Sequence, residues 1–184
     1  MEISNVLPPT TSTEIDLDMI DCYVSGPDVS IAEDDELNLS NRNSANPAMV
    51  VELVGADSKI TLFTDCERPQ IVIHFKTMKR FLTISILCLD DTGKERVFEM
   101  SNKNSVVTIE NGFCKMPMEA AHDGWQRSCI DMDELLANAF NSSLHAVREI
   151  TISGSCRVSK VYFQSKNYAD VELPGHLRVV NNFS

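Results

Sequence analysis

Arg80-Phe-Leu-Thr-Ile-Ser-Ile-Leu-Cys-Leu-Asp90 is the longest clear strand signal in the chain. Leu82, Ile84, Ile86 and Cys88 fall on one face and Thr83 and Ser85 on the other, flanked by Phe81 and Leu87. Period-two alternation with β-branched enrichment predicts a mostly buried strand. Asp90-Asp-Thr-Gly93 follows. Asp bonds back to its own backbone and Gly allows positive φ, so a tight turn is expected there, with a returning strand from Lys94 to Met100.

The same reading extends outward. Residues 1–15 have turn and disorder composition, and residues 1–16 are expected as an acidic, extended N-terminal arm ahead of a single domain, 17–184. Residues 17–24 and 28–32 suit one or two short edge strands, separated by Gly26-Pro27. Residues 33–47, rich in Asp, Asn and Ser, read as a loop. Met49–Val54 and Lys59–Thr64 suggest a hairpin, and Gln70–Phe75 another strand. Val106–Glu110 and Phe113–Met118 flank Asn111-Gly112, a strong turn dipeptide. Trp125–Ile130 is expected as a strand. Asp131-Met-Asp-Glu134 can cap the one short helix, marked by Leu135, Leu136, Ala139 and Phe140. Arg148–Ser153 and Cys156–Ser165 read as two strands joined at Gly154-Ser155, with a last strand at His176–Val180. About ten strands, turn signals every eight to twelve residues or so and no internal repeat predict an all-β, two-sheet antiparallel β-sandwich, in the manner of a jelly roll.

The 184 residues suit one domain that could bury roughly two-thirds of its unfolded surface. There is no apolar run of transmembrane length, and Met-Glu-Ile-Ser-Asn is not the start of a secretory signal. Six scattered cysteines without a C-x-x-C pair read as reduced thiols in a reducing compartment. The formal charge of −11 is uneven. Residues 1–40 carry ten acids and no Lys or Arg, whereas residues 41–184 hold 17 acids and all 16 bases. Such an arm repels phosphate backbones and argues against a nucleic-acid binder. It reads as a solvated tail or as a segment that docks on a basic surface.

Catalytic and metal motifs are missing. The four histidines lie far apart, outside any zinc spacing. Ser153-Gly-Ser155 joins two strands and is not a nucleophile elbow. Asp90-Asp91 and Asp34-Asp35 have turn or loop explanations, and His122-Asp123 lies in a turn. No P-loop, dinucleotide fingerprint or calcium loop is present. No cofactor, no metal and no catalysis are expected. Trp125, the only tryptophan, follows a Gly turn and reads as a core anchor more than a ligand platform. In Cys156-Arg-Val-Ser-Lys-Val-Tyr-Phe163, strict alternation places Arg157, Ser159, Val161 and Phe163 on one face and Val158, Lys160 and Tyr162 on the other. With Val161 and Phe163 inward, Lys160 and Tyr162 face out, where they could meet a partner.

Several short segments are similar, in order and spacing, to the cilia- and flagella-associated protein 20 family. They are Arg80-Phe-Leu-Thr-Ile leading to Leu89-Asp-Asp91, Ser101-Asn102, Met116-Pro-Met118, Asp123-Gly-Trp125, Cys156-Arg157, Val161-Tyr-Phe163, Tyr168 and Glu172-Leu-Pro174. The resemblance covers roughly residues 48–180, and 17–47 more weakly. It implies a fold like a carbohydrate-binding module and a non-catalytic structural role at the inner junction of ciliary doublet microtubules. It also implies partners: tubulin of the A- and B-tubules, the parkin co-regulated protein and other inner-junction proteins, with no nucleic acid or membrane. The implied location is the cytoskeleton of the cilium or flagellum, with the basal body as a further place. The acidic balance, and one extra residue in Glu119-Ala-Ala-His122, imply a divergent member or a paralogue. Some relatives of this kind sit at centrioles, and the fold analogy also leaves a glycan-binding module as an alternative. If the partner is acidic tubulin, Lys103, Arg157, Lys160 and Arg178 are the expected contact residues.

Overall fold

A computed structural model describes residues 1–9, 14–40, 47–121 and 123–178. In chain order these form β1 (Ile3–Leu7), β2 (Cys22–Ser25), β3 (Val29–Glu33), α1 (Asp35–Ser40), β4 (Met49–Leu53), β5 (Lys59–Cys66), β6 (Gln70–Asp90), β7 (Glu95–Ser101), β8 (Thr108–Glu110), β9 (Phe113–Pro117), β10 (Gln126–Asp131), α2 (Met132–Phe140) and β11 (Leu144–Gln164).

The architecture is a β-sandwich built on a spine of two 21-residue strands, β6 and β11. They pair antiparallel along their whole length, from Leu144 opposite Asp90 to Gln164 opposite Gln70. The other edge of β11 takes β5, then β4, then β1. The other edge of β6 takes β10 and then β7. One half of the sandwich therefore runs β2-β5-β11-β6-β7-β9-β8. The other half places β3-β4 and β1 beside β11, and β10 beside β6.

The inner faces of both halves meet in one core. Ile60, Leu62, Ile84, Ile86, Ile150 and Ile152 come from the first half, and Leu53, Ile71, Ile73, Phe75, Val161 and Phe163 from the second. Each is sealed from water, and each such side chain contributes about 1.5–3 kcal/mol through burial. The strand that opened the sequence reading behaves as expected: Leu82, Ile84, Ile86 and Cys88 all point into this core.

Both spine strands were expected as two pieces each, and both are continuous. Gly154 adopts φ +103°, which bends β11 without ending it. On β6 the opposite bend is absorbed by a bulge. Leu82 faces Gly154 and Thr77 faces Cys156, so residues 78–81 stand against Ser155 alone. A second bulge between Val158 and Lys160 breaks the alternation assumed for β11. It lets Val158, Val161 and Phe163 all face inward while Arg157, Lys160 and Tyr162 face outward.

Other expectations are corrected. All strands belong to one continuous hydrogen-bonded sheet that passes between the two halves through the spine, and β7 pairs with β9 in parallel. Residues 3–7, read as disordered in composition, form β1 on the edge of β11 and bury Leu7. The loop assigned to 33–47 contains α1, so there are two α-helices among the described residues. Asp34 caps α1 by accepting the Leu37 N–H at 3.1 Å, and Asp35 and Glu36 suit the positive end of its dipole. The expected strand at 176–180 is a 3-10 turn, Gly175–Leu177, because it follows Pro174; Val179 and Val180 lie outside the described residues. The expected helix is α2, with Asp131 accepting the Glu134 N–H at 3.0 Å and Asn141 closing it in the left-handed region.

Candidate functional site

The outer face of the second half carries a charged clamp. Glu52, Arg157 and Lys76 form one cross-strand row, because Arg157 is opposite Glu52 on β4 and Lys76 on β6. Asp34, fully buried, enters this row from the start of α1. Its Oδ2 accepts from Lys76 Nζ and from Arg157 Nη1, each at 2.8 Å. Its Oδ1 accepts from Trp125 Nε1 at 2.9 Å. Arg157 Nε and Nη2 both reach Glu52 Oε2 at 2.6 Å. Lys76 lies 5.5 Å from the centre of the Trp125 ring and also meets Glu36 at 3.2 Å. Burial works to raise the Asp34 pKa, but the hydrogen bonds from Lys76, Trp125, Arg157 and Leu37 outweigh it and hold the carboxyl far below the usual range.

Further along the same face, a second apolar cluster forms. Val72 and Tyr162 from the spine are covered by Tyr168, Leu173 and Leu177 from the segment after β11. Beside it lies buried His74, edge-on to the Tyr162 ring at 5.7 Å. Burial first, then the charges of Lys160 and Arg127, pull the His74 pKa down to about 3. Burial also lowers the Lys160 pKa, which Asp170 partly opposes. Arg127 Nη2 donates to the Tyr168 carbonyl at 3.1 Å, tying the covering segment to β10.

The four cations selected from the sequence are not one patch. Arg157 is half-buried in the clamp. Lys160 is half-buried beside the covering segment, three positions further along the face of β11. Arg178 is spent within that segment, donating to the Leu173 and Val171 carbonyls at 2.8 and 2.9 Å. Of the four, Lys103 alone is exposed, just past the end of β7 in the first half. Trp125 is half-buried rather than sealed in the core, and what it anchors is Asp34. Tyr162, read as outward and available, does face outward but is covered.

At the bend of the spine lies an open groove of about 1060 Å³, lined by Lys79, Arg80 and Phe81 of the bulge, by Asn102, and by Met118 to Ala121. Sequence reading passed over this bulge because Thr77-Met-Lys-Arg-Phe81 contains no Gly or Pro. Its one signal was Phe81, an aromatic out of phase with the buried face.

Asp90, half of a candidate acid pair, spends its oxygens on the turn it begins, accepting from the Thr92 and Lys94 N–H groups and from Arg96 Nε. Ser153 and Ser155 lie inside β11. His122 lies outside the described residues. Among the described residues no group of three or more His, Cys, Asp or Glu could hold a metal ion. The six cysteines are free thiols, and burial pushes Cys88 and Cys156 up to about 12.

Fold and surface together define an all-β sandwich module with a charged clamp on one outer face. The CFA20 domain matches residues 28–181, and the chain belongs to that family. It is 27% identical to cilia- and flagella-associated protein 20 of Paramecium tetraurelia over 67% of this chain and 63% of that one. It is 25% identical to the Caenorhabditis elegans protein of the same name over 72% of this chain and 69% of that one. The chain thus spans less than two-thirds of the Paramecium relative's length, and at these identities it is a divergent member. Among solved structures it is similar to the family 11 carbohydrate-binding module of the cellulase Lic26A-Cel5E of Clostridium thermocellum. That likeness has TM-score 0.38 and 11% identity, covering 82% of this chain and 91% of that one.

Proposed function

We propose that this chain is a non-catalytic structural protein of the ciliary or flagellar axoneme, bridging the A- and B-tubules at the inner junction of doublet microtubules. Tubulin, the parkin co-regulated protein and other junction proteins are its partners, and its presence stabilises the cilium. The observation that carries this reading is the CFA20 domain across residues 28–181, in relatives named for cilia and flagella. The fold is in keeping with it: a sandwich with a sealed core keeps its shape under load, and its faces and ends suit broad contacts without a deep pocket.

Lys103, Arg157, Lys160 and Arg178 contribute to the tubulin contact in this reading. They are best tested unequally. Charge reversal of Lys103 changes only an exposed side chain, whereas reversal of Arg157 would also break the clamp on Asp34. The decisive experiment is a reconstruction of native doublets from cells in which this chain carries a density tag. The reading expects tag density along the seam and a gap there when the gene is deleted. A seam filled by another polypeptide, with the tag elsewhere, would overturn it.

A further inference from the structure

The groove at the bend of the spine has the features of a preformed docking site. Residues 78–81 bulge out of β6, and bulges re-aim side chains that a regular strand would point along the sheet. Lys79 takes φ +57°, unusual for a residue with a side chain. The outcome is that Lys79, Arg80 and Phe81 are all exposed in succession, Phe81 at 65%.

The walls around this tip are held firmly. Asn102 accepts the Leu82 N–H at 2.9 Å and donates to the Arg80 carbonyl at 3.2 Å, clamping both sides of Phe81. Gln126 holds Ala121 by accepting its N–H at 2.9 Å and donating to its carbonyl at 3.3 Å. Thr77 Oγ1 donates to the same carbonyl at 3.0 Å, and Ser155 Oγ accepts the Gly55 N–H at 2.9 Å. These contacts fix the groove before any ligand arrives, which lowers the ordering cost of binding.

They also narrow the choice of ligand. The amides and hydroxyls that could read sugar hydroxyls are engaged in holding the walls, and one phenylalanine is a poor sugar platform beside the stacked tryptophans and tyrosines such sites use. What remains is the exposed Phe81 ring, the half-buried apolar surface of Met118 and Ala120, and two exposed cations against one lining carboxylate, Glu119. Lys79 meets Asp123 at 3.4 Å, but both side chains are more than three-quarters exposed, so water screens that pair and an incoming carboxylate can replace it. Exposed Lys103 follows Asn102 directly and adds a third cation at this end.

We propose that this groove docks an extended acidic polypeptide segment. An apolar side chain of that segment packs on Phe81, Met118 and Ala120, and its carboxylates meet Lys79 and Arg80. The inference stands apart from the axonemal reading, since it rests on the groove alone.

The test is fluorescence polarisation of the full chain with a short fluorescein-labelled synthetic peptide of alternating Glu and Leu around one Phe. Saturable binding that weakens as salt rises is expected. The double variant Lys79→Glu with Arg80→Glu should weaken it by about tenfold or more, as should Phe81→Ser. The same peptide with Lys in place of Glu should not bind. Should a variant fold poorly by circular dichroism, the salt series and the reversed-charge peptide on the unaltered chain decide the question without it. Failure of the acidic peptide to bind, equal binding by the reversed-charge peptide, or unchanged affinity in the folded variants overturns the proposal. So does displacement of the peptide by cello-oligosaccharide.

Discussion

Trp125 Nε1 and Asp34 Oδ1 meet at 2.9 Å across 91 positions of sequence. This bond joins the turn before β10 to the start of α1, and the same carboxylate collects Lys76 and Arg157 from the spine. Replacing Asp34 by alanine would leave two half-buried cations without their shared acceptor. Asp34→Ala is therefore expected to cost about 3–5 kcal/mol in unfolding free energy. Trp125→Phe keeps much of the ring contact and removes only the donor, so its cost should be about 1.5–3 kcal/mol. Urea unfolding followed by circular dichroism measures both, and an Asp34→Ala protein as stable as the parent would remove the clamp from the account of the fold.

Acid should act through the same carboxylate. Asp34 and Asp90 both have pKa values held well below that of an unfolded aspartate, in each case by hydrogen bonds that outweigh desolvation. A depressed carboxyl pKa gives stability that is complete above the unfolded value, about 3.9. That stability is lost as pH falls below it, because the unfolded chain then binds protons that the folded chain refuses. Melting temperature should drop steeply below about pH 4. In Asp90→Asn the drop should be shallower from a lower starting point, since the turn loses its charged acceptor for Arg96 while one titrating group is removed.

These contacts mark where sequence reading reached its limit. Alternation is a local signal, so the existence of most strands, and the inward face of Arg80–Asp90, could be read directly. A bend and a break look alike locally. Gly154-Ser155 has turn composition, yet it only redirects β11, and in Thr77-Met-Lys-Arg-Phe81 the out-of-phase Phe81 is the single hint of a bulge. Asp34 could be read as a loop acid because its partners Lys76, Trp125 and Arg157 are brought to it by register between distant strands. Likewise Arg157 and Arg178 look available in sequence, and only the fold shows that each is engaged. Tyr162 was placed on the correct face, but the segment that covers it gives no sign of that in its own composition.

His74 supplies a different pH window. It is 3% exposed, and burial together with Lys160 and Arg127 lowers its pKa to about 3. For a base with a depressed pKa, stability is complete above the unfolded value of about 6.5 and falls as pH drops toward the folded value. The unfolded chain takes up a proton throughout that interval and the folded chain does not. The loss approaches about 1.4 kcal/mol per pH unit between the two values. His176 is also lowered, chiefly by burial, but is exposed and adds less. Between pH 6 and 5 a decline in unfolding free energy is therefore expected chiefly from His74. His74→Phe should flatten it, and an unflattened profile would place the titrating group elsewhere.

Gly154 tests the bend on which the groove depends. It sits at φ +103°, and a Cβ there would lie 2.5 Å from the Phe81 carbonyl oxygen and 2.9 Å from the Leu82 Cα. Both contacts are with backbone, which cannot swing aside as a side chain would. Gly154→Ala must therefore either strain β11 or push residues 81–82 outward. A cost of about 2–4 kcal/mol is expected, from the unfavourable φ and the overlap together. The displacement should be local, because Asn102 clamps the Arg80 carbonyl and the Leu82 N–H on either side. Amide exchange should quicken at Leu82 and Gly154 while the Ile150–Ile152 stretch keeps its protection. Gly55 offers the control: its φ is +92°, but a Cβ there meets nothing within 4 Å, so Gly55→Ala should carry only the backbone cost. Equal losses in the two variants would mean that close packing between the spine strands at Gly154 is not what holds the bulge in place.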